Sequence, residues 1–62
     1  MDYDTIEILT VEELAETLYI NRNSAYDLCR SGEVHAFRIG RVWKVPRQAV
    51  SDYIYEKMNR QT

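Results

Sequence analysis

Apolar residues recur along this chain at two different periods, and each period predicts an element. In LTVEELAETL, residues 9–18, Val11, Leu14, Ala15 and Leu18 fall at i, i+3, i+4 and i+7, the single stripe of an amphipathic helix, and Glu12, Glu13 and Glu16 are left outside it. Thr10 and Glu13 stand three apart, the spacing at which a threonine side chain and a glutamate satisfy each other's backbone N–H groups, so the helix is predicted to start at Val11 and to end near Leu18. Its early glutamates also suit the positive end of the helix dipole. Only Tyr19 to Asn21 separate it from YINRNSAYDLCRSG. There Asn21 suits an N-cap, Ile20 can pack on Ala25 as a hydrophobic staple, and Gly32 suits a left-handed closing residue. A second helix is predicted over 22–31 with Ala25, Leu28 and Cys29 inward, which turns Arg22, Asn23, Tyr26, Asp27 and Arg30 elsewhere. Two short helices joined by so tight a turn read as a helix-turn-helix.

The period changes to two in AFRIGRVWKVP, residues 36–46. A hairpin that gathers Phe37, Ile39, Trp43 and Val45 on one core face sets Ile39 opposite Trp43 and Phe37 opposite Val45. It leaves Gly40, Arg41 and Val42 as the turn, with Arg38 and Lys44 pointing outward and Arg41 at the tip. A two-residue Gly40–Arg41 turn competes, because a three-residue loop favours glycine in its last position. The hydrophobic pattern favours the longer turn. Pro46 suits a helix start, and a last helix is predicted over 47–59 with Val50, Ile54 and Met58 inward beside Ala49 and Tyr53, and with Glu56 and Arg60 as an i, i+4 pair. The opening TIEIL alternates weakly, as a short strand or an extended arm.

Composition narrows what such a chain can do. The whole of 1–62 is expected to be one domain, 1–8 included as arm or strand, with a stability on the order of 3–5 kcal/mol. One cysteine and one histidine allow neither an internal disulfide nor a zinc cluster, no cofactor is implied, and a reducing, cytoplasmic setting fits. No apolar run approaches the ~20 residues of a membrane span. Cys29 falls on an inward helical position and reads as a small buried hydrophobe, Trp43 as a core anchor and His35 as a turn residue. A paired acid and base, a metal set and a phosphate loop are all missing from the sequence, so an enzyme is not expected.

Net charge is −2, but its distribution matters more than its total. Residues 1–21 carry six carboxylates and no Lys or Arg, whereas residues 22–47 carry six Lys/Arg against Asp27 and Glu33. The middle of the chain is therefore a basic island. A solvated helix face and charged protection of a strand edge are the plain uses of such cations, and a polyanion surface is the functional one.

The order helix, tight turn, helix, basic hairpin, helix resembles the small winged helix-turn-helix domains of the excisionase family, which are related to the DNA-binding heads of MerR-type regulators. The resemblance rests on LTVEELAETL, INRNSAYDL, SGEV and RIGRVWKVPRQAV and covers about residues 9–54. It implies an α+β winged helix-turn-helix: three helices, with a two-stranded β-hairpin wing between helices 2 and 3. The second helix would enter the major groove of double-stranded DNA, and the wing would lie on the adjacent minor groove or backbone. Base or phosphate contact is carried onto Arg22, Asn23, Ser24, Tyr26 and Arg30, and wing contact onto Arg38, Arg41 and Lys44. Asp27, Val42 and His35 depart from the family, which commonly has a basic or neutral polar residue, a polar residue and a proline there. The implied activity is that of an excisionase, which binds and bends recombination-site DNA and helps an integrase. One helix in a groove reads only a few base pairs, so a monomer in free solution with several copies on DNA is expected. A minimal transcriptional regulator or a protein-interaction module, with Tyr55 and Met58 as docking residues, are the alternatives.

Overall fold

Local chemistry sets the helix ends in the computed structural model, which describes residues 6–60. Helix α1, Val11–Leu18, begins in the reciprocal cap expected of it: the Glu13 N–H donates to Thr10 Oγ1 at 3.0 Å and the Thr10 N–H donates to Glu13 Oε1 at 2.9 Å. It closes at Tyr19, whose left-handed backbone (φ 57°) directs its N–H back to the carbonyls of Ala15 and Glu16. Helix α2, Arg22–Ser31, begins where Asn21 Oδ1 accepts the Ser24 N–H at 2.7 Å and closes at Gly32 (φ 84°), a backbone region glycine enters without steric cost. Both helices match their predicted spans.

Strand β1, Ile8–Leu9, strand β2, Phe37–Ile39, and strand β3, Val42–Pro46, form a three-stranded antiparallel sheet in the order β1-β3-β2. Helix α3, Arg47–Arg60, follows β3 directly. The fold is an α+β winged helix-turn-helix, and the hairpin wing gains a third strand from the N-terminal segment. Of the expected N-terminal arm or strand, residues 8–9 form the strand and residues 1–5 lie outside the described residues.

The hairpin register differs from the predicted one. Ile39 pairs with Val42, Arg38 with Trp43 and Phe37 with Lys44, so the turn is the two-residue Gly40–Arg41. Gly40 has φ 63°, and a glycine at the first of two central positions suits the hairpin turns whose twist matches the strands. Turn chemistry outweighs the apolar pattern here. Because cross-strand partners share a face, Phe37 and Ile39 swing outward with Val42 and Lys44, and Arg38 joins the inward face of Trp43 and Val45. The core does not lose by this: Leu9, opposite Val45, supplies the apolar group that Phe37 was expected to give.

The core consists of Leu9, Val11, Leu14, Ala15, Ala25, Cys29, Val34, Val45, Ala49 and Val50, with half-buried Leu18, Ile20, Tyr26, Leu28, Trp43 and Tyr53 packed around it. In α3 only the first turns meet this core. Ala49 and Val50 are buried, whereas Ile54 and Met58, expected inward, are exposed. Steps of four residues overshoot a helical turn by about 40°, so the row 50, 54, 58 drifts off the core face while Tyr53 and Lys57 stay half-buried. Val34 ties the wing to α2, donating its N–H to the Leu28 carbonyl at 3.2 Å, and Lys57 Nζ reaches Glu33 Oε1 at 3.3 Å from α3.

Candidate nucleic-acid interface

At 100° per residue, Arg22, Asn23, Tyr26 and Arg30 share one outward face of α2, with Asp27 at its edge. Ser24 lies about a quarter-turn further round, half-buried, and its N–H is committed to the Asn21 cap. Tyr26 is half-buried with its ring against the core, and the Arg30 guanidinium lies 6.0 Å from that ring's centroid. Asn23 is exposed, and its amide offers both a donor and an acceptor. The structure thus brings four of the five expected α2 residues onto one face and sets Ser24 apart.

Both α2 arginines already hold carboxylates. Arg22 Nε sits 3.7 Å from Glu12 Oε2 of α1, and Arg30 pairs with Asp27 one turn before it. On the wing the situation reverses. Of the eight Lys and Arg in the chain, five have a carboxylate within 4.0 Å: Arg22, Arg30, Arg47, Lys57 and Arg60. The three without one among the described residues are Arg38, Arg41 and Lys44, all on the hairpin. Arg38 lies over the Trp43 ring, 5.5 Å from its centroid, a contact that supplies no opposite formal charge. Arg41 sits in the turn, exposed, and Lys44 projects from the outer face.

The sequence reading passed over two features of this surface. Tyr19, in the turn between α1 and α2, is 95% exposed in a left-handed backbone that a side chain enters at a cost; the sequence signal was a helix end followed by an N-cap with no glycine between them. The second is the apolar wing tip, Ile39 at 62% and Val42 at 55% exposure, which the register hides from any reading that assumes an inward Ile39.

Cys29 lies beneath this surface, in the core. Burial pushes the Cys29 thiol up from its ordinary value against the smaller opposing effect of the Arg30 charge, so the reactive thiolate is disfavoured. Among the described residues no group of three His, Cys, Asp or Glu is placed to hold a metal ion, and no helix is long and apolar enough to cross a membrane.

Residues 8–58 match the family model described as "Helix-turn-helix domain". The chain is 48% identical over 46 residues to a "Probable excisionase" of Saccharopolyspora erythraea, covering 74% of this chain and 47% of that protein. It is 35% identical over 54 residues to an "Excisionase" of Streptomyces ambofaciens, covering 87% of each. It thus spans about half the length of the first of these relatives and most of the second. No solved structure matches significantly. With its capped α1 and α2, its tight turn and its wing all inside the matched span, the chain belongs to the helix-turn-helix domain family as an excisionase-family member.

Proposed function

We propose that the protein binds double-stranded DNA sequence-specifically as an excisionase, a recombination directionality factor that bends attachment-site DNA and assists an integrase. One observation carries the reading: the three cations that have no carboxylate among the described residues are gathered on one hairpin beside a helix-turn-helix, where phosphates can supply a partner. Arg22, Asn23, Tyr26 and Arg30 would face the major groove, with Ser24 at the helix margin, and Arg38, Arg41 and Lys44 would hold phosphates or enter the minor groove. The likeness to the heads of MerR-type regulators belongs to the same reading, as do a cytoplasmic setting and a binding role without catalysis. One helix reads few base pairs, so we infer a monomer in free solution that occupies its site in more than one copy or beside an integrase, where linked binding raises effective concentration.

A protein-contact role has its own observation in the exposed row Ile54, Tyr55 and Met58 on α3, which the core does not use. Regulation of transcription through the same DNA contacts is compatible with either. Binding to duplex DNA from the flanks of the gene, measured by fluorescence anisotropy over a range of salt with and without an integrase, tests the reading. Four to five phosphate contacts give a slope of log K against log salt near about −4. A slope near zero, or no duplex binding at low salt, would favour the protein-contact role instead.

A further inference from the structure

Among the described residues, nothing buries the apolar side chains on the outer face of the sheet. Ile8, Phe37, Ile39 and Val42 all lie on it and are all exposed, most strongly at the tip, where Ile39 and Val42 face each other across the two-residue turn. A small protein that exposes apolar side chains at the end of a projecting hairpin gains nothing for its fold from them. Their surroundings indicate the occupant. Arg41 sits between them in the turn, Lys44 shares their face one layer back, and with Arg38 these are the three cations that lack a carboxylate among the described residues. An apolar protein patch would leave those charges poorly compensated, whereas a groove walled by phosphates compensates each of them.

We propose that Ile39 and Val42 form an apolar wedge that enters the DNA minor groove and partly unstacks a base step, so that the wing bends the duplex as well as gripping it. The inference rests on the DNA-binding reading above. Dimensions support it. Two paired strands stand about 4.8 Å apart before side chains are added, and a B-form minor groove is about 6 Å wide, so a two-stranded tip enters only where the groove opens. Opening that groove bends the duplex toward the major groove, and an apolar side chain such as isoleucine is a group that inserts at an unstacked step. Lys44, two residue pairs up at about 3.3 Å per residue, is then placed to meet a phosphate at the rim while Arg41 reaches the groove floor or its wall.

Threonine at both positions keeps the β-branched shape that suits a strand and removes the apolar surface. Duplex carrying a donor and an acceptor dye at its ends reports bending, and 2-aminopurine placed at successive steps reports unstacking. The wild-type chain should bend its site by about 20–90° and brighten 2-aminopurine at one or two steps. The Ile39→Thr, Val42→Thr double variant should bind within about tenfold of wild type with an unchanged salt slope, since all three cations remain, yet leave the duplex nearly straight and the fluorophore quenched. Wild-type binding and bending without brightening overturns the wedge and leaves the DNA reading standing, as does a double variant that bends like wild type. Absence of duplex binding by the wild-type chain at any salt removes both. A double variant that binds and bends normally but loses a contact with a second copy or an integrase assigns the face to protein and also overturns the wedge. The wild-type fluorescence needs no variant, so a misfolded variant does not leave the inference untested.

Discussion

Helix α2 and the hairpin wing each present arginines to solvent, yet they hold their charges in opposite ways. On α2 every arginine has a carboxylate beside it, Glu12 for Arg22 and Asp27 for Arg30, while on the wing Arg38, Arg41 and Lys44 have none among the described residues. Exposed ion pairs of this kind contribute little to stability, about 0–1 kcal/mol, so their distribution tells more about availability than about the fold. An arginine that must leave a carboxylate before it can meet a phosphate contributes less to indiscriminate attraction, and its partner acid repels a wrongly seated backbone. A cation without such a partner attracts any duplex. Under the proposed DNA binding the contrast implies a division of labour: the wing would supply grip that is blind to sequence, and α2, with its charges held in check, would leave discrimination to groups such as Asn23.

The largest effect expected from that division is on grip. Replacing Arg38, Arg41 and Lys44 together by alanine should make the slope of log K against log salt shallower by about 2.7, near 0.9 for each lost phosphate contact. Replacing Arg22 and Arg30 together should change it by clearly less, because both cations begin paired. Anisotropy titrations at several salt concentrations check both variants. Equal changes in slope would erase the contrast between the two regions.

Discrimination should move the other way. Asn23→Ala on the exposed face of α2 removes the amide best suited to a base edge, and a good bidentate base contact is worth about 1–3 kcal/mol of discrimination. The expected result is that cognate and random duplexes come closer in affinity, chiefly through loss on the cognate one. Lys44→Ala should weaken both about equally. Competition titrations with the two duplexes measure this, and a Lys44→Ala protein whose sequence preference shifts while that of Asn23→Ala does not would exchange the two roles.

How much of this was legible in the sequence depended on how local each determinant is. The caps were: Thr10 with Glu13, Asn21 with Ser24 and Gly32 act within four residues, and α1 and α2 form over their predicted spans. The hairpin turn was only half legible, because both turn lengths preserve a period of two and differ in which residues face the core; Gly40 decided it through its own backbone conformation. The outward Ile54 and Met58 show a helix outrunning a small core, which no periodicity within α3 reveals. Least legible was the pairing of charges. Arg22 meets a glutamate of the preceding helix, and Arg47 Nε meets Glu7 Oε1 at 2.6 Å across forty positions of sequence, so the isolation of the wing cations emerges only once the chain is folded. The basic island was visible in sequence, but its division into a paired and an unpaired half was not.

The smallest expected effect probes that division at a single carboxylate. Asp27 lies on the outward side of α2 and holds Arg30, with both side chains more than half exposed. Asp27→Asn keeps the shape, removes the negative charge and frees the guanidinium. Because an exposed pair contributes at most about 1 kcal/mol, the melting temperature should shift by only a few degrees, while affinity for random duplex should rise by up to about fivefold. The salt slope should steepen by up to about 0.9 as Arg30 becomes a further phosphate contact. Cognate affinity should rise less, since a correctly seated helix has already accommodated the pair, so the ratio of cognate to random binding falls. The matching change on the wing has no counterpart, as no carboxylate there is available to remove. Should Asp27→Asn leave both the slope and the ratio as in the wild type, the pairing on α2 is ornamental and the difference between helix and wing lies in position alone.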